Sequence, residues 1–207
     1  DYANNIITNI MKYGDYDKAT MDMHIAEAKF LRAYEYLLLL QTFGDGALTG
    51  DMGGLGVILR LTPYDGYRPE DVASRATVGE TYAQILKDLK EALPYLSNTN
   101  ATSLVSRTRA TKTAAYALLS RVYLYRGSSK NDLADMKLAS DYADSVLLNT
   151  KNYTFSTSST HHTSWLFPLN ATGAETNSAN YSDEVILLSP CYTSATSYSN
   201  GVGSSYY

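Results

Sequence analysis

The stretch from Asp22 to Phe43 limits the fold of this chain more than any other part of it. Ile25, Ala28, Leu31, Leu38 and Leu39 track one side of a helix there, with Arg32 and Glu35 among them. Ala26, Phe30, Ala33, Tyr34 and Leu37 track another side. The run Leu37-Leu38-Leu39-Leu40 leaves no polar face at that level, so the pattern predicts a helix covered on most sides by other elements. A chain built around such a segment must stack further helices on it.

Four other segments supply them. Residues 4–13 place Ile6, Ile7, Ile10 and Met11 at helical spacing. Residues 77–96 open with Thr77-Val78-Gly79-Glu80, a capping box in which the Thr hydroxyl and the Glu carboxylate satisfy orphan amides. Behind it Val78, Tyr82, Ile85, Leu86, Leu89 and Leu93 form one stripe. Residues 111–126 carry Ala114, Ala115, Leu118, Val122 and Tyr125, and Gly127 reads as the residue that ends this helix. Residues 133–148 carry Met136, Ala139, Tyr142, Val146 and Leu147. The last two helices have the form of a tetratricopeptide hairpin, but the loops at 44–76 and 127–132 are too unequal for that motif's repeat of ~34 residues. The expectation is an all-α fold of tetratricopeptide-like helical hairpins with long irregular loops.

Charge divides the chain at residue 151. All 17 Lys and Arg lie at or before Lys151, and beyond it the only charges are Glu175, Asp183 and Glu184. Ser, Thr and Asn clusters fill the remainder and favour turns over helix. Trp165-Leu166-Phe167 and Val185-Ile186-Leu187-Leu188 give that remainder apolar anchors that a disordered tail does not need. Two parts follow: a helical body at 1–151 and a Ser/Thr/Tyr-rich loop segment at 152–207. With 17 basic against 21 acidic residues, the chain is no phosphate-tracking nucleic-acid binder. Nowhere do 18 apolar residues run together, as a membrane-spanning helix requires.

Several of these residues, taken in order, resemble the RagB/SusD family. Ala26-Glu27-Ala28-Lys29-Phe30-Leu31-Arg32-Ala33-Tyr34 followed by Phe43-Gly44-Asp45 looks like its helix signature. Arg75-Ala76-Thr77-Val78-Gly79-Glu80 looks like its next helix start, and Arg109-Ala110-Thr111 through Tyr125 follows in the same order. Asp141-Tyr142-Ala143-Asp144, Tyr153-Thr154-Phe155 and Asp183-Glu184-Val185-Ile186-Leu187 complete the series. The resemblance implies a SusD-like αα-superhelix and a surface glycan-binding lipoprotein. It implies capture of oligosaccharide or polysaccharide and delivery to a SusC-like, TonB-dependent outer-membrane transporter. The chain is shorter than that family's members, so it is expected to be a fragment. Membrane attachment is expected only through a lipid anchor outside it. Cys191 is not that anchor, which would be the first residue of a mature lipoprotein.

Catalytic signatures are weak, and no enzymatic activity or cofactor is expected. Gly53-Gly54-Leu55-Gly56 fits neither nucleotide fingerprint and reads as a flexible surface loop. His161-His162 with Glu175, Asp183 or Glu184 reads as solvated polar residues rather than a metal site, and Asp15 and Asp17 lack the further oxygens of a calcium loop. Sugar binding asks for less: an aromatic face for the C–H side of a pyranose and polar groups for its hydroxyls. Trp165, beside His162 in the polar segment, is the first candidate, although Trp165-Leu166-Phe167 equally reads as a pin holding the loop to the helices. Tyr64, Tyr67 and Arg68 lie in the turn-forming run Pro63-Tyr64-Asp65-Gly66-Tyr67-Arg68-Pro69 and make the second. The chain has 19 Tyr. Those on helices (Tyr34, Tyr36, Tyr82, Tyr116, Tyr123, Tyr125, Tyr142) are expected to pack between helices with their hydroxyls at the edge. The alternative function is a tetratricopeptide-like scaffold that binds protein rather than sugar.

Overall fold

A computed structural model describes residues 1–47, 49–66, 72–98, 109–148, 190–194 and 197–200. Five helices make up the body. Helix α1 (Tyr2–Tyr13) and α2 (Lys18–Phe43) form a first antiparallel pair, and α3 (Val78–Ala92) packs on α2. Helices α4 (Lys112–Lys130) and α5 (Leu133–Leu148) form the most intimate pair. Strands β1 (Pro190–Ser194) and β2 (Ser197–Asn200) add one antiparallel hairpin, with Cys191 opposite Ser199 and Tyr192 opposite Tyr198. The all-α reading therefore holds for the body. The hairpin lies outside that expectation, in a stretch whose Tyr and Thr residues suit a pleated surface.

Local chemistry sets the helix ends. The Asp17 carboxylate accepts from the Thr20 amide at 3.0 Å and its hydroxyl at 2.6 Å, so Asp17 caps α2. The capping box of α3 forms as expected: Glu80 accepts from the Thr77 amide at 2.8 Å and the Thr77 hydroxyl accepts from the Glu80 amide at 3.1 Å. Gly127 does not end α4. The helix runs on to Lys130 and stops at Asn131, whose φ of 53° puts it in the left-handed region. Gly127 is buried inside the helix, and a Cβ there would lie 2.8 Å from the Asp135 Cβ and 3.0 Å from the Met136 amide nitrogen. It lets α5 approach the α4 backbone, where Arg126 grips Asp135 through two bonds of 2.6 Å.

The core lies where α2, α3 and α4 meet. Phe30, Leu37 and Leu40 from α2 close on Tyr82, Ile85 and Leu89 from α3 and on Leu119 and Val122 from α4. Each such side chain contributes ~1.5–3 kcal/mol by leaving water. Covering of α2 is less complete than its sequence implies. Leu37 and Leu40 are buried, but Leu38 and Leu39 are each 40% exposed and Leu31 is 52% exposed. At ~100° per residue the four leucines fan around the axis, and α1 and α3 shield only part of that arc. Between α4 and α5 the rings of Tyr123 and Tyr142 stack at 5.7 Å, and Tyr116 stacks on Tyr142 at 6.1 Å. These tyrosines pack helix against helix, as their positions predict.

Backbone contacts hold the glycine-rich run in place. The Gly56 amide donates to the Ala76 carbonyl at 2.6 Å, and Leu55 bridges to Thr77. A Cβ on Gly56 would sit 2.4 Å from the Thr81 hydroxyl and 2.5 Å from the Thr77 carbonyl oxygen, so close backbone approach demands glycine here. Arg75 fastens the same loop to the end of α2 through the carbonyls of Phe43, Leu55 and Gly56.

Candidate functional site

An open groove of about 1020 Å³ lies between α1, α2 and the segment 58–65. Leu31, Glu35 and Leu39 form its floor, spaced so that they stack along one row of α2. The start of α1 makes one wall with Asp1, Tyr2 and Asn4. The extended segment 58–65 makes the other with Ile58, Arg60, Thr62 and Tyr64.

Long-range hydrogen bonds hold that segment in place. The buried Tyr36 hydroxyl donates to the Arg60 carbonyl at 2.6 Å and accepts from the Arg60 amide at 2.8 Å, as a neighbouring strand would. Burial pushes the Tyr36 phenol above its ordinary pKa, although the bond with Arg60 opposes the shift, so it stays neutral and keeps its donor. The Asn4 amide, also buried, donates to the carbonyls of Arg60 at 2.9 Å and Thr62 at 3.1 Å. At the rim, the Tyr64 amide donates to the Asp1 carboxylate at 2.8 Å.

Beneath the floor lies an ion pair. Arg32 donates to both oxygens of Asp88, at 2.8 and 2.7 Å, to the Asn4 side-chain Oδ1 at 2.9 Å and, more weakly, to the Leu61 carbonyl at 3.5 Å. Asp88 is 1% exposed and accepts a further bond from Gln84 at 3.0 Å. Burial alone works against the Arg32 charge, but Asp88 outweighs it and holds the guanidinium above its ordinary pKa. One network thus joins α1, α2, α3 and the 58–65 segment. A sequence reading sees Arg32 only within a helix signature and cannot see that its carboxylate lies 56 positions away.

Of the residues singled out by sequence, Tyr64 stands at the groove rim, 58% exposed, with its ring available to a ligand. Tyr67, Arg68, His162 and Trp165 lie outside the described residues. Glu35, Tyr2 and the supporting Asn4 and Tyr36 were not singled out as site residues. For Glu35 the signal was present: a lone carboxylate in the helical row Leu31-Glu35-Leu39. The groove combines exposed leucines, two outward tyrosines and a carboxylate, which suits a molecule with one C–H face and one hydroxyl-bearing edge.

Comparison with known proteins bears on the same helices. The SusD-like family described as "Starch-binding associating with outer membrane" matches residues 2–124. A SusD-like protein of Bacteroides ovatus is 31% identical over 153 residues, which is 71% of this chain and 25% of that protein. The chain thus spans about a quarter of the length of this curated relative. A SusD superfamily protein from Bacteroides thetaiotaomicron shares the fold with a TM-score of 0.71 and 24% identity, over 97% of this chain and 38% of its own. A laminarin-binding SusD-like protein superposes with a TM-score of 0.55 at 25% identity, over 75% of this chain and 28% of its own.

Proposed function

The chain belongs to the SusD-like family, and from that membership we propose that it is the helical part of a surface glycan-binding protein that captures oligosaccharides and hands them to a SusC-like, TonB-dependent transporter. The observation that carries this reading is the family match over residues 2–124, a span that holds every groove-lining residue but Asp1. The family's description as associating with the outer membrane supports placement at that membrane, and a lipid anchor outside this chain is part of the same proposal. A relative that binds laminarin supports a glycan as the ligand. The protein binds without catalysis. Residues 152–207 begin the irregular ligand-binding region, and Trp165, His162, Tyr67 and Arg68 join Tyr64 as sugar contacts.

Titration calorimetry of the full-length protein against starch, laminarin, xyloglucan and pectic oligosaccharides tests the reading. Tyr64→Ala removes a stacking face and lowers affinity for the bound glycan on the order of 3- to 10-fold. A folded protein that binds nothing in such a panel refutes it. A second reading, a protein-binding scaffold, draws on the α4–α5 hairpin, which leaves Leu133 at 76% and Leu148 at 82% exposure. Recovery of peptide partners without a barrel protein, together with no glycan binding, favours that reading instead.

A further inference from the structure

We propose that Glu35 is the specificity-determining residue of the groove: it selects neutral glycans that offer a free vicinal diol and turns away those carrying carboxylates. The proposal rests on the glycan reading above. Glu35 lies between Leu31 and Leu39 on the groove floor, and both leucines are exposed. Among the described residues it makes no hydrogen bond or ion pair. The nearest cation along α2, Arg32, also lines the groove, but its guanidinium is taken up by Asp88 and Asn4 and is only 11% exposed, so little of its charge is open to an occupant. Asp1 and Asp65 add carboxylates along the walls, opposed there by Arg60.

An occupant that settles on the leucines takes water away from Glu35. A carboxylate buried without donors is costly, so the occupant must bring its own hydrogen bonds. Two adjacent sugar hydroxyls do this well, donating one to each carboxylate oxygen in charge-assisted bonds. Meanwhile the C–H faces of the rings meet Leu31, Leu39 and Tyr64. A uronate brings a second negative charge to the same half-dry floor and is repelled.

The test uses the full-length protein, with laminari-oligosaccharides as neutral probe and oligogalacturonides as acidic probe. Wild type is expected to bind the neutral probe at least 10-fold more tightly. Glu35→Gln keeps the shape but exchanges charged bonds for neutral ones, so it should weaken the neutral probe on the order of 5-fold and narrow the preference by a similar factor. Raising the salt to about 1 M, where the screening length falls to ~3 Å, should narrow the wild-type preference more than that of Glu35→Gln, which keeps only the wall carboxylates. An unchanged ratio in Glu35→Gln, or tighter wild-type binding of the acidic probe, overturns the role of Glu35 while glycan binding stands. Binding of neither probe, nor of any other glycan, overturns the reading beneath it. Glycan binding indifferent to Tyr64→Ala moves the site out of this groove and removes the proposal with it.

Discussion

Replacing Arg32 by Met is the sharpest test of how the groove is held. The substitution keeps the length of the apolar stem but deletes two bonds to Asp88, one to Asn4 and a long one of 3.5 Å to the Leu61 carbonyl. Asp88 is 1% and Asn4 5% exposed, so water cannot easily take over either. Charged hydrogen bonds at ~1.5–3 kcal/mol each would sum to more than is expected, because Asp88 keeps its bond from Gln84. Removing one partner of a buried ion pair costs ~3–5 kcal/mol, and that range applies here. Urea unfolding of the full-length protein, followed by circular dichroism, measures it. The double variant Arg32→Met/Asp88→Leu removes the stranded charge and should recover at least half of the loss. A single variant within ~1 kcal/mol of wild type, or a double variant no better than the single, refutes the reasoning.

Two further outcomes follow from the packing and the caps. Gly127→Ala gains ~1 kcal/mol in helix propensity but drives a methyl into Asp135 and Met136, an overpacking cost of ~1–3 kcal/mol; a net loss in thermal unfolding is expected, whereas a gain would show that the two helices are not in contact there. The bonds from the Thr77 amide and hydroxyl hold the Glu80 carboxyl below its ordinary pKa of 4.5. A depressed folded-state value stabilises above that pH and is lost as pH falls through it, so the stability gap between wild type and Glu80→Ala should be full near neutrality and close in acid. A gap that persists at low pH would mean that the carboxylate charge is not what caps α3.

Much of the body could be read from the sequence because its signals are local. The capping box at Thr77 and the stripe from Val78 to Leu89 fix α3 without reference to anything outside it. Gly127 misled because glycine near a helix end serves two purposes, and only the partner helix shows which one applies. The leucine run failed differently: periodicity tells which faces are apolar but not how many neighbours arrive to cover them. Tyr64 was legible from the turn chemistry around it, whereas the floor of the groove was not. Glu35 acquires meaning from an extended segment some two dozen positions later, and that segment is fixed by the Tyr36 hydroxyl, which is indistinguishable in sequence from any packing tyrosine.

The three parts of the groove come from places far apart in the chain, near residues 1–4, 31–39 and 58–65. A sugar that touches Tyr64 and Glu35 together is therefore a reversible cross-link between remote stretches. Opening of α1 away from α2, or of the extended segment from both, first requires that cross-link to break. Occupancy thus slows hydrogen exchange at amides the ligand never meets, by a factor that grows with its free concentration over Kd. The inner side of α3 feels the same restraint through Asp88, so that helix reports on the sugar from behind the groove.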